Sequence, residues 1–186
     1  MKNKILTSTI ISVFILIFGG SLLHFAYQWS GYCPWVGMFS AVNESVWEHL
    51  KLGFGALLFF SLFEYWLIRN KVKNYFIAKA AGLISMEIFI VLFFYGYTLL
   101  TEEILLLDIF SYLAGCIICQ AVVYKIYIKA KLPSWINVIS IIILLVFTAA
   151  MVVFTFYPPK LGIFKEQHSG NYGTQWYYAG EDPDEH

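Results

Sequence analysis

Five long apolar runs succeed one another along the chain, at about 5–27, 48–68, 77–100, 104–124 and 135–157. Each reaches the roughly 20 residues that a helix needs to cross a hydrocarbon core. None alternates apolar and polar positions with a period of two, and a helix satisfies its own backbone polar groups in lipid. The pattern predicts an all-α fold, an integral membrane helical bundle of five transmembrane helices. Residues 1–157 form the transmembrane domain in this reading, and 158–186 an extracytoplasmic carboxyl-terminal tail.

The first run imitates a secretory signal, because Lys2 and Lys4 precede it and Gly19, Gly20 and Ser21 are small enough for a cleavage site. Apolar character continues through Leu22, Leu23, Phe25 and Ala26, which makes the run longer than the apolar core of a signal. A retained helix is expected.

Composition agrees: 60% hydrophobic residues, 13% charged and a mean hydropathy of +0.70 exclude a soluble domain. The formal net charge of zero gives no electrostatic reason to expect nucleic acid, so lipid is the expected partner and the cell membrane, multi-pass, the expected location. The few charges matter through their positions. If the spans alternate, Lys2, Lys4, Arg69, Lys71, Lys73, Lys79, Lys125, Lys129 and Lys131, nine of the twelve basic residues, fall on one side. The positive-inside rule makes that side cytoplasmic, with the amino terminus inside and the carboxyl terminus outside. Trp29, Trp66, Tyr124, Trp135 and Tyr157, near span ends, fit interfacial belts.

One polar stretch interrupts the pattern. Residues 42–51, "VNESVWEHLK", stand at the outer mouth of the second span. Gly31, Pro34 and Gly37 punctuate the preceding connection, so the helix is expected to start between Ser40 and Asn43, with Glu44 in a first turn that favours a carboxylate. Glu44 and Glu48 are four apart and share a face, with Lys51 nearby, as a solvated charge ladder would. His49 lies on a different face, with Ser45.

A histidine just inside a bilayer edge needs a partner at its own depth. His24 on the first span and Asp108 on the fourth both lie roughly 5–8 Å below the outer surface, counting about 1.5 Å per residue. Gly20, His24 and Gln28 recur at intervals of four with Ser21 and Tyr27 beside them, a small and polar stripe suited to a bundle interior. His24, His49 and Asp108, with Glu44 or Glu48 near, are therefore candidate metal ligands, and imidazole with carboxylate suits zinc (Zn2+) or another divalent ion. Glu48 and Asp108 are the candidate catalytic carboxylates. The competing reading is interhelical hydrogen bonding with no metal, since no HExxH spacing is present.

Glu64 and Glu87 lie toward the other membrane face. Glu64 is five residues from Arg69 and is expected to snorkel toward, or pair with, that basic end. Glu87 is eight residues past Lys79, roughly 12 Å deep, where snorkelling alone does not reach. With Asp108 and Glu48 at the outer side, the two outline a proton or cation path, although no inverted repeat accompanies them. Cys116 and Cys119 form a C-x-x-C about 20 Å along their helix from the level of Cys33. Helix packing is the expected role for both.

Pro158 and Pro159 stop the last helix, Gly170 and Gly173 mark turns, Trp176, Tyr177 and Tyr178 suit the headgroup region, and 181–186 is acidic. A tail lying over the outer mouth would act as a lid on the polar layer.

"LLHFAYQWSG", "FSAVNESVWEHLKL", "FTFYPPKLGIF" and "SGNYG" together resemble an uncharacterised family of small bacterial integral-membrane proteins with an Asn-Glu-Ser-x-Trp-Glu-His signature. The resemblance runs from about His24 to Gly173 and implies polytopic helical architecture without supplying a reaction. In residue type, His24, His49 and Asp108 also look similar to the zinc site of membrane hydrolases related to alkaline ceramidases and adiponectin receptors, a resemblance in which His168 of the outer tail would fold back as a third imidazole. Those have seven spans and a late helix with two histidines four apart, which this chain lacks. Three classes of function follow: a metal-dependent membrane hydrolase, a proton-coupled or ion transporter, and a non-catalytic membrane assembly protein.

Overall fold

The computed structural model describes residues 2–129, 132–166 and 169–174. Five helices are long and apolar enough to cross a membrane: α1 (Lys2–Trp29), α3 (Val46–Ile68), α4 (Tyr75–Thr98), α5 (Leu105–Lys129) and α6 (Ser134–Phe156). A one-turn helix, α2 (Pro34–Gly37), opens on a proline that has no N–H to lose, and a 3-10 turn covers Gly162–Phe164. Among the described residues the sole β feature is an isolated bridge between Lys165 and Tyr172. The chain is thus an all-helical, multi-pass membrane protein.

The helices fall close to the runs that hydropathy marks. The second differs most usefully: Ser45 is its N-cap, with Oγ accepting from Glu48 N at 3.4 Å. Glu44 therefore precedes the helix instead of occupying its first turn, because Asn43 accepts Ser45 N at 2.9 Å and turns the chain there. Helix α1 runs unbroken through Gly19–Ser21.

Helix α1 shows how burial is arranged. Ile10, Phe14, Phe18 and Leu22, spaced by four, are exposed along the side that lipid would cover, while Ile5, Ser12, Leu16 and Gly20 are buried. Helix α1 packs on α3 and α5, α5 on α4, and α4 on α3, while α6 lies against α4. At Gly20 an added Cβ would collide with the Tyr112 hydroxyl and come within 3.2 Å of Leu52 O, so α1, α3 and α5 meet around that glycine. Cys116 and Cys119 are fully buried and not disulfide-bonded; a Cβ at Gly82 would stand 2.9 Å from Cys119 O, and this close approach of α4 and α5 is where that cysteine packs.

Among the described residues two buried ion pairs tie the bundle, one near each end. At the end carrying Arg69, Lys71 and Lys73, Glu64 is fully buried and sits 2.5 Å from Lys79 Nζ on α4. Ser8 (2.9 Å), Ser12 (3.3 Å) and Tyr75 (3.2 Å) also donate to that carboxylate. Glu64 is thus turned inward to join α1, α3 and α4, instead of reaching for Arg69, whose guanidinium lies 4.4 Å over the Trp66 ring. Removing one member of such a pair leaves an unpaired charge in a dry interior, at a cost of about 3–5 kcal/mol, whereas removing both is close to neutral. Lys79→Met is expected to destabilise the protein by that amount in detergent-based unfolding, with Glu64→Gln in the same chain restoring most of the loss. Equal and additive losses from the two substitutions would contradict the coupling.

Candidate functional site

The stretch 42–51 is placed at the end of the bundle opposite Arg69, and nearly every polar residue in it has a separate task. Glu48 and Lys51, expected on an exposed ladder, are both 1% exposed and 2.5 Å apart. Glu48 accepts Val42 N at 3.0 Å, and Lys51 donates to Gly37 O at 2.9 Å and to Thr155 Oγ1 on α6 at 2.7 Å. The pair fastens the α1–α3 connection and α6 to α3. Of the carboxylates in this stretch, that leaves Glu44 outside the packed interior, its side chain 53% exposed.

Glu44 faces two imidazoles. Its Oε1 is 3.7 Å from His24 Nε2 and its Oε2 is 3.3 Å from His49 Nε2. The rings lie 5.4 Å apart, inclined by 29°. One ligand atom from each of the three residues can be chosen so that all lie within 4.8 Å of one another. His49 Nδ1 is 3.0 Å from Ser45 O, and since a carbonyl only accepts, Nδ1 carries a proton and Nε2 is the nitrogen that faces Glu44. A backbone acceptor behind the ring is the usual way of orienting a metal-binding histidine. His24 Nδ1 is buried and has no hydrogen-bond partner among the described residues.

The other expected members of the layer stand apart from this trio. Asp108 Oδ1 accepts the Tyr97 hydroxyl at 2.7 Å, linking α4 to α5, and interacts with His49 only at electrostatic range. Glu48 is committed to Lys51, so neither it nor Asp108 lies in the trio of converging ligands. Glu87 is 6% exposed and neither carboxyl oxygen has a hydrogen-bond partner among the described residues. His168, Trp176, Tyr177, Tyr178 and 181–186 lie outside the described residues, as does Lys131.

The tail approaches the same end of the molecule. Asn43 Nδ2 donates to Gly173 O at 3.0 Å, and Glu44 N donates to Glu166 Oε1 at 3.3 Å. Phe164 packs tilted against Trp47 at 4.7 Å and edge-on against Phe154 at 5.4 Å. Sequence reading assigns Asn43 a capping role and leaves Trp47 unassigned; the clue to both is their place in the polar stretch, but their partners stand about 120 residues further on.

Over residues 1–174 the chain matches the family of unknown function DUF6512. It belongs to that family. No curated protein and no solved structure matches it. Within this DUF6512 protein, then, the residues themselves must supply the chemistry.

Gly173 is the point at which the tail is most constrained. Its φ is +55°, and an added Cβ would collide with Thr155 O and stand 3.1 Å from Pro158 Cγ. Left-handed backbone costs a non-glycine residue about 1–2 kcal/mol before any clash. Gly173→Ala is expected to detach the segment from Asn43 and raise protease cleavage within 161–172, with the transmembrane core still folded. Unchanged cleavage would show that the glycine does not hold the tail.

Proposed function

We propose that this DUF6512 protein is a metal-dependent membrane hydrolase whose zinc is held by His24, Glu44 and His49 on the outer side of the membrane. The observation that carries the reading is the convergence of three donors from α1, the α2–α3 loop and α3 within 4.8 Å. Two neutral imidazoles and a carboxylate are a ligand set that leaves one position open on a tetrahedral ion. A carboxylate between two imidazole nitrogens is stabilised by a cation among them; a proton on His49 would serve, and so would a zinc ion, which would supply an activated water as nucleophile at neutral pH.

In this reading each side chain has a distinct part. Ser45 O holds His49 in the tautomer that binds, and Glu166 supports the Glu44 backbone. Asp108, held by Tyr97 and at electrostatic range of His49, would be the carboxylate to take a proton from a zinc-bound water. Glu48, the other carboxylate candidate, is assigned the structural part because Lys51 occupies it. Exposed Phe25 and Trp29 beside His24 favour a substrate with an ester or amide bond at the lipid–water boundary. The basic end, with Arg69, Lys71 and Lys73, is assigned to the cytoplasm.

Purified protein is expected to retain about one zinc per chain by elemental analysis, and His24→Ala or His49→Ala to lose it. In right-side-out vesicles an impermeant chelator should strip the ion. Asp108→Asn should keep the metal and lose turnover of ester or amide amphiphiles by at least a hundred-fold, within the range expected for a general base. Protein that holds no divalent ion would remove the metal reading; zinc without any hydrolysis would remove only the catalytic one.

Glu87 supports a second reading, proton-coupled or ion transport, because an unpartnered buried carboxyl group is expensive in a membrane interior and such groups mark ion pathways. Glu64, saturated by four donors, is then a structural anchor beside the path. Proton or cation flux in sealed vesicles should fall to background in Glu87→Gln; no flux in the parent protein would exclude this reading.

A further inference from the structure

The half of the bundle nearest the α3–α4 loop contains a feature with no part in the site above. A cleft of about 220 Å³ opens between α3, α4 and α6. Phe54, Leu58, Leu62, Trp66, Phe76 and Leu144 form much of its wall. Lys79 also touches the cleft, but Glu64 neutralises it from behind. From Trp66 to Phe54 the wall extends twelve helical positions, about 18 Å at the ordinary rise. That is close to half the thickness of a hydrocarbon core of about 30 Å.

Charge at the open end identifies the occupant. Trp66 and Leu62 are exposed, so the cleft is open to the side, toward lipid. Arg69 lies at the open lip of the cleft, its guanidinium 4.4 Å from the centre of the Trp66 ring. It has no carboxylate partner among the described residues, and Lys71 and Lys73 follow it. No acidic residue occurs between Glu64 and Glu87, so the lip carries positive charge only. We propose that the cleft is a binding site for one anionic phospholipid, with an acyl chain along the apolar wall and the phosphate on Arg69. An apolar slot fits a chain, and a guanidinium at headgroup depth fits a phosphate oxygen pair better than a zwitterionic headgroup, whose own cation would compete. The site is independent of the histidine trio at the opposite end.

Trp66 makes the test local. With the full chain in nanodiscs of phosphatidylcholine, brominated phosphatidylglycerol is titrated against brominated phosphatidylcholine while tryptophan fluorescence is followed. The anionic lipid should quench at lower mole fraction, and the excess should vanish in Trp66→Phe. Arg69→Gln should weaken the preference about five-fold, the effect of one cation at an anionic surface. If that variant does not fold, Lys71→Gln with Lys73→Gln should lower the preference in the same direction. Leu62→Phe, which narrows the open side without adding a tryptophan, should reduce quenching of Trp66 by either lipid. Equal quenching by the two lipids in the parent protein, or a preference unaltered by loss of the lip cations, would overturn the proposal.

Discussion

The buried pair of Glu48 and Lys51 governs the histidine end of the protein. A carboxylate and an ammonium excluded from water are tolerated only when each is paired and hydrogen-bonded. Here Val42 N, Gly37 O and Thr155 Oγ1 complete the set, so satisfying two charges also fixes the α1–α3 connection and α6 around the start of α3. That arrangement sets where Glu44 and the two histidines can meet. A side chain that is itself absent from the trio is thus what positions it.

The same physics operates at the other end with different helices. Glu64 gathers Ser8 and Ser12 from α1 and Tyr75 and Lys79 from α4. In lipid, where apolar side chains gain little by leaving their surroundings for one another, such polar contacts and close-packed glycines such as Gly20 and Gly82 supply specificity between helices. Glu87 departs from this rule within the described residues, being buried without a hydrogen bond. The two ends differ in exposure as well: the basic end keeps its ion pair closed and places Arg69 outside, while the histidine end leaves three metal-type donors partly open.

Much of this was legible in single residues and spacings. The runs that became α1 and α3 to α6 were visible as length and hydropathy, and His24 and His49 were visible as polar residues at one depth. Asp108 was legible at the same depth for the same reason, yet depth along a helix does not give direction around the bundle, and Tyr97 holds it. Glu44 and Glu48 were harder to separate. Four residues apart, they share a face only if both are helical, and the turn made by Asn43 and Ser45 takes Glu44 out of the helix. The tail's contacts with Asn43 and Trp47 left no local trace, because they join residues far apart in the chain.

The sequence by itself determined that this chain crosses a membrane as helices, since backbone groups in lipid must be satisfied locally and long apolar runs can do so without any partner. It also gave an expected level for each polar residue within a span, because helical rise converts position into depth. Only the tertiary structure decided which groups at one level meet: Glu48 with Lys51, Glu64 with Lys79, and Glu44 with His24 and His49. Rotation and contact between helices are settled by packing across the whole bundle, and no periodicity within one helix contains that information.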